Sequence, residues 1–141
     1  MPKITIKKGL NKTFTEQLTR ENMQDYYTAR GLVWDADAFL NRLKTYENFQ
    51  VFRGKTQIGS FSLSFFEDLC LIRDLQIQHS VQGQGIGTTC LEYIQDYARA
   101  NGYNAIGLRV FAENPAGVWY QCYGFVEESR TAGVIQMRLL C

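Results

Sequence analysis

One segment constrains this chain more than any other. Residues 71–87 read Leu-Ile-Arg-Asp-Leu-Gln-Ile-Gln-His-Ser-Val-Gln-Gly-Gln-Gly-Ile-Gly, an apolar strand pattern running into a glycine-rich turn. A helical pattern follows from residue 85 to residue 100, with Ile86, Cys90, Leu91, Ile94 and Tyr97 on one stripe and Asn101-Gly102 as its stop. Glycines at alternate positions, Gly83, Gly85 and Gly87, let the backbone come close to a ligand. The first amides of the helix have no internal acceptor, and the helix dipole adds positive potential there. Strand, turn and helix entrance together make an anion seat suited to phosphate.

Two common phosphate loops are excluded in detail. A P-loop needs Gly-Lys-Ser/Thr, and here Gly87 is followed directly by Thr88. A dinucleotide fingerprint needs G-x-G-x-x-G after the first strand of a βαβ unit and an acid about twenty residues on. The glycines here run G-x-G-x-G, the preceding strands read as antiparallel, and the acid is missing.

The rest of the chain supplies the frame. Residues 3–7 alternate as a short strand, residues 15–30 read as a helix burying Leu18, Met23, Tyr26 and Tyr27, and Gly31 stops it. Asp35 is placed to cap a second helix carrying Phe39, Leu43 and Tyr46. Strands are expected over 49–52, 57–66 (Phe61, Leu63 and Phe65 on one face) and 70–78, with turns at Gly54-Lys55 and Glu67-Asp68. After the long helix come a strand over 105–111 and a helix over 115–123, with Asn114 as N-cap and Pro115 at its first position. Residues 125–126 and 134–140 close the chain as strands. The order β-α-α-β-β-β-α-β-α-β-β predicts a mixed α/β (α+β) fold, one largely antiparallel sheet with helices on both faces.

A length of 141 residues suits a single domain over 1–141. Fifteen basic and 14 acidic residues nearly cancel, which argues against a nucleic-acid partner; Lys3, Lys7, Lys8 and Lys12 read as a solvated edge. Cys70, Cys90, Cys122 and Cys141 form no C-x-x-C pair, so neither a metal site nor a redox pair is expected. The start, Met1-Pro2-Lys3, opens no apolar run of leader or membrane-spanning length. A soluble, cytoplasmic protein with no membrane partner is the expectation. The strand over 134–140 is a possible pairing edge for a homodimer.

Gln82, Gly85 and Gly87 match the pattern Q/R-x-x-G-x-G/A, and Leu75-Gln76-Ile77 precedes it on the strand. Farther on, Asn114 is followed by Tyr120, Gly124 and Phe125 at spacings of six, four and one. Over residues 48–140 these motifs, in this order, resemble the GNAT superfamily of acyl-CoA-dependent N-acyltransferases. The resemblance implies a GNAT-type fold and an N-acetyltransferase moving acetyl from acetyl-CoA to a primary amine, of a small molecule or a peptide, by direct attack in a ternary complex. It also leaves room for a second reading, a catalytically inactive CoA-binding regulator.

By that resemblance acetyl-CoA is the co-substrate and no metal is needed. The pantetheine arm is implied to pair with Leu75, Gln76 and Ile77 in a gap between the strands over 70–78 and 105–111. The pyrophosphate is implied to sit on the amides of Gln82, Gly83, Gln84, Gly85, Ile86, Gly87 and Thr88. Asn114 is implied to contact the cofactor while capping its helix. Tyr120 stands where the family commonly places a tyrosine general acid, with core packing as the competing role and Tyr123 as the competing phenol. The base is open. Leu71 and Arg73 take the inward positions by simple alternation, which turns Asp74 away; Glu67, Asp68 and Glu113 could act through water, and His79 reads as a surface residue. No cysteine stands with a histidine, so a covalent acetyl-cysteine has no support. The acceptor is expected near Tyr26, Tyr27, Arg30, Trp34, Asp35 and Asp37, whose aromatic faces and carboxylates suit a cation.

Overall fold

The computed structural model describes residues 3–141. Met1 and Pro2, where the reading for a leader began, lie outside the described residues. The elements follow the expected order: β1 (Ile4–Lys8), α1 (Lys12–Ala29), α2 (Ala36–Leu43), β2 (Glu47–Arg53), β3 (Thr56–Phe66), β4 (Leu69–Ile77), α3 (Ile86–Ala100), β5 (Ala105–Phe111), α4 (Ala116–Tyr123), β6 (Val126–Thr131) and β7 (Val134–Leu140). A 3-10 turn, His79–Val81, links β4 to the glycine-rich loop.

Local chemistry accounts for the boundaries. Asn11 begins α1 by accepting from the Phe14 amide at 3.1 Å, earlier than residue 15 because the cap is a side chain and not an apolar position. Its end closes with Gly31 N–H on the Thr28 carbonyl and Leu32 N–H on the Tyr27 carbonyl. Asp35 caps α2 through the Ala38 amide at 3.0 Å, as expected. Pro115, at φ −61° and ψ −15°, already has helical angles, and the Asn114 side chain caps α4 by accepting from the Ala116 amide at 2.9 Å.

The seven strands form one sheet in the order β1-β2-β3-β4-β5-β7-β6, antiparallel except for the parallel β4–β5 pair. Helices α3 and α4 cover one face. There Cys90, Leu91 and Ile94 pack with Phe49, Phe61, Cys70 and Ile72, and Tyr120 joins the same core. Helices α1 and α2 lie on the other face, where Thr19 and Asn22 bond to β4 side chains. Of the α1 residues expected in the core only Leu18 is buried; Met23, Tyr26 and Tyr27 are half-buried because they face a cleft. Strand β7 is flanked by β5 and β6, so residues 134–140 present no open edge for pairing across a dimer, contrary to expectation. No helix among the described residues is long and apolar enough to cross a membrane.

Two irregularities open the sheet. In β4, Ser62 pairs with Asp74 but Leu63 pairs with Ile72, which leaves Arg73 as an extra, bulged residue. The β4–β5 pairing then runs only from Leu69–Ala105 to Ile72–Leu108. Beyond it, residues 73–77 of β4 and 109–111 of β5 part, leaving a notch in the middle of the sheet.

Candidate active site

A cleft of about 1650 Å³ runs through the notch and reaches from α1 and α2 on one face to the α3 entrance and α4 on the other. At its α3 end, the backbone N–H groups of Gly83, Gln84, Gly85, Ile86, Gly87 and Thr88 have no acceptor among the described residues; the first helical bond is Thr89 N–H to the Gly85 carbonyl at 3.1 Å. Six successive free amides at a helix entrance form a strong anion seat. Gly83 and Gly85 take left-handed φ values of +77° and +80°, with open space where a Cβ would stand. Gly87 is different: a Cβ there would meet the Trp119 ring at 2.9 Å, so the residue is small to admit that ring.

Gln82 is not part of the free run. Its N–H donates to the His79 carbonyl at 3.2 Å, closing the 3-10 turn, and its side-chain amide donates to the Ile77 carbonyl at 3.0 Å. It braces the loop on β4. Arg53, a residue the sequence reading passed over, reaches the same loop by donating to Gln84 Oε1 at 2.6 Å. Only strand pairing brings it there, so no motif could have found it.

The β4 edge of the notch divides its residues by function. Gln78 N–H donates to the Ile58 carbonyl of β3 at 2.9 Å, so by alternation the Gln76 backbone also turns to β3, while Leu75 and Ile77 turn their backbone groups to the notch. Gln76 thus lacks the edge position expected of its backbone. Its side chain has other work: Nε2 donates to Asp74 Oδ1 at 2.8 Å, and Oε1 accepts from Asn22 Nδ2 at 3.0 Å.

Asp74 corrects the sequence reading most. The Arg73 bulge interrupts alternation, so residues 73 and 74 both lie on the α1 face, and Asp74 faces into the cleft instead of away from it. Thr19 donates to its Oδ2 at 2.9 Å. Burial pushes the carboxyl above its usual range, partly offset by the hydrogen bonds from Gln76, Thr19 and the Leu75 amide. One signal was available: Arg73-Asp74 puts two charges side by side inside an apolar strand, where strict alternation would bury one of them.

Across the notch Tyr120 is buried against Trp119 and Phe125, with ring centroids 4.9 and 5.4 Å away. It also lines the cleft, so packing and access to the notch are combined in one side chain. Burial first, then the Asp74 carboxylate and the Cys90 thiol, raise its phenol far above the usual value, and it keeps its proton at any working pH. Tyr123 is engaged elsewhere, donating to Gln95 Oε1 at 2.9 Å. Asn114 lines the cleft with its side-chain oxygen committed to the α4 cap.

The remaining acid–base candidates fall away from the notch. Glu113 is clamped by Arg30 at 2.8 and 2.9 Å, which holds its carboxyl below the usual range. Asp68 accepts from Asn104 at 3.3 Å, and neither it nor Glu67 lines the cleft. His79 is exposed, in the 3-10 turn at the phosphate end. Burial pushes the Cys70 and Cys90 thiols up to about 12, so neither is a nucleophile at neutral pH. Of the expected acceptor residues, Tyr26, Tyr27 and Trp34 line the cleft, while Arg30, Asp35 and Asp37 do not. Asp35 is occupied as a cap and Arg30 as a clamp.

A profile of the acetyltransferase (GNAT) family matches residues 6–125. No curated protein matches the chain in sequence. Among solved structures it is similar to the ribosomal-protein-S18-alanine N-acetyltransferase of Escherichia coli, with a TM-score of 0.74 and 22% identity over 98% of this chain and 94% of that one. It is also similar to the PaiA N-acetyltransferase of Thermoplasma acidophilum in complex with coenzyme A, with a TM-score of 0.79 and 19% identity over 99% of each chain. A GNAT family acetyltransferase of Elizabethkingia anophelis with acetyl-CoA bound gives a TM-score of 0.73 and 17% identity over 98% of each. At these identities the structural likeness shows the fold.

Proposed function

The chain belongs to the acetyltransferase (GNAT) family, and from that premise we propose that it transfers an acetyl group from acetyl-CoA to a primary amine by direct attack in a ternary complex. The observation that carries this reading is the flanking of one notch by a half-buried carboxylate, Asp74, and a buried phenol, Tyr120. The donor also suits the residues present. Six free amides between Gly83 and Thr88 match a diphosphate, and the edge of β4 at Leu75 and Ile77, not paired with β5, suits an arm that lies along it like an added strand. Asn114 is the further contact proposed from α4. Coenzyme A and acetyl-CoA in two of the similar structures support the same donor here.

Bound acetyl-CoA supplies an activated acyl thioester. The chain's residues then have three tasks. Asp74, with its pKa raised by burial, accepts the proton that the amine must lose, directly or through one water. With the Leu75 amide engaged by Asp74, the β4 edge offers the Ile77 N–H to stabilise negative charge on the reacting carbonyl oxygen. Tyr120 holds its proton and directs it at the departing sulfur; the proton shed by the amine restores the balance through solvent. One N–C bond forms, one C–S bond breaks, and a thiol leaves.

Two measurements test this together. Calorimetry with CoA should give saturable heat, and acetyl-CoA with an amine panel should release free thiol. CoA binding without thiol release on any amine would turn the reading to a regulator. No CoA binding at all would remove both.

A further inference from the structure

Most arginines of this chain sit on carboxylates, and they do so away from the cleft. Arg20 pairs with Glu16, Arg30 with Glu113, Arg99 with Asp96, Arg130 with Glu127 and Arg138 with Glu128. Arg42, Arg53, Arg73 and Arg109 form no ion pair among the described residues. Arg53 belongs to the phosphate end through Gln84. The other three line the cleft at its opposite end.

All three are exposed and stand on the α1–α2 side of the cleft. Arg73 is the bulged residue of β4, on the α1 face, with Nε donating to Ser64 Oγ at 2.7 Å and its guanidinium 5.5 Å from the Tyr46 ring centroid. The register Ile72–Leu108 puts Arg109 beside Arg73, one step past the last pairing. Arg109 shares its face with Phe111, which packs on Tyr26 and Tyr27 of α1. Arg42 stands in the last turn of α2, close enough for its charge to act on Asp74.

Guanidinium groups stay charged at any working pH, so three of them lining one opening make it positive. Asp74 feels the charge of Arg42 but forms no ion pair with any of the three, its two oxygens accepting from Thr19 and Gln76. The other carboxylates lining the cleft, Glu21 and Asp25, stand on α1 and form no ion pair with these arginines. An arginine fork matches a carboxylate bidentately. Beside the arginines, Tyr27, Trp34, Phe39 and Phe111 provide an aromatic wall.

We infer that the acceptor amine carries a carboxylate of its own, held by Arg73, Arg109 and Arg42 while its nitrogen faces Asp74, so that the substrate class is a compact amino acid with an apolar side chain. The inference rests on the transferase reading of the same cleft and deepens it.

Thiol release is measured with L-phenylalanine and L-phenylalaninamide, each rate referred to the neutral-amine fraction. The expected kcat/KM ratio is about tenfold or more in favour of the acid, and Arg73→Gln should bring that ratio toward one. Glutamyl-phenylalaninamide, whose one carboxylate is a side chain's, separates the sources: a rate below that of L-phenylalanine is expected, and a rate above it overturns the compact amino acid. In parallel, CoA-loaded protein is titrated with N-acetyl-L-phenylalanine and its amide, where tighter binding of the acid is expected. Thiol release with no discrimination overturns the carboxylate site and leaves the transferase reading intact. Selective binding of the acid with no thiol release on any amine does the reverse.

Discussion

The Thr19 hydroxyl of α1 donates to the Asp74 carboxylate of β4 at 2.9 Å, joining positions fifty-five residues apart. Through this bond and the Asn22–Gln76–Asp74 chain beside it, the first helix holds the candidate base at the sheet's notch. The carboxylate is therefore aimed before any substrate arrives.

Replacing Asp74 with Asn should lower kcat by about 10²–10⁴, the usual range for loss of a positioned base. In the wild type, kcat/KM should rise along a limb above the usual carboxylate range, because burial raises this pKa. The limb should vanish in the variant. A pH–rate profile with the same limb in both proteins would remove Asp74 from the mechanism.

The same substitution should affect stability in the opposite direction. A carboxyl raised by burial holds its proton in the folded chain at pH values where the unfolded chain has lost it. Stability therefore falls as pH rises from the ordinary carboxylate value through the raised one, and the charged buried form is a liability above it. Asp74→Asn should melt higher than wild type at neutral pH, with the gap closing below the ordinary value. Thermal melts at several pH values check this; a lower melting temperature for the variant at neutral pH would contradict it.

Tyr120→Phe keeps the ring that packs on Trp119 and Phe125 and removes only the hydroxyl. Turnover should fall by about 10²–10⁴ while CoA affinity stays within about twofold. Calorimetry and steady-state rates separate the two effects. Full turnover, with chemistry limiting, would leave Tyr120 a packing residue.

Gly85→Leu places a side chain at φ +80°. The left-handed backbone costs an L-residue about 1–2 kcal/mol, and the new side chain occupies the open space before the free amides. CoA affinity should drop by about tenfold or more, the equivalent of about 1.4 kcal/mol. Retained affinity would argue against the loop as the diphosphate seat.

Arg30 clamps Glu113 with two hydrogen bonds, donates to the Ala132 and Gly133 carbonyls at 3.1 and 2.7 Å, and stacks 4.3 Å from the Phe111 ring centroid. It ties the end of α1 to the β6–β7 turn and the β5 end. Arg30→Ala should lower the melting temperature by a few degrees, and Arg30→Lys should recover only part because lysine lacks the planar fork. Differential scanning calorimetry reads both; equal melting temperatures for all three proteins would make the clamp incidental.

How much could be read in advance depended on the range of the interactions involved. The order of elements, the Asp35 cap, the Asn114-Pro115 helix start and the glycine-rich anion seat all arise within a few residues. Their signals are side-chain caps, apolar periodicity and glycines with left-handed angles, and each is written locally. Tyr120 and the loop glycines were reachable for the same reason, through motifs of fixed spacing.

What the tertiary structure decided was orientation and partnership. The Arg73 bulge exists because β3 and β4 pair out of step there, and that one extra residue turned Asp74 from an outward position into the cleft. Arg53 reached the phosphate loop, and β7 lost its open edge, only through strand order. Asp35 and Arg30 left the acceptor side because a cap and a clamp claimed them. Alternation along a strand is a local rule, but the register that interrupts it is set by a neighbouring strand, and no spacing within one strand records its partner's step.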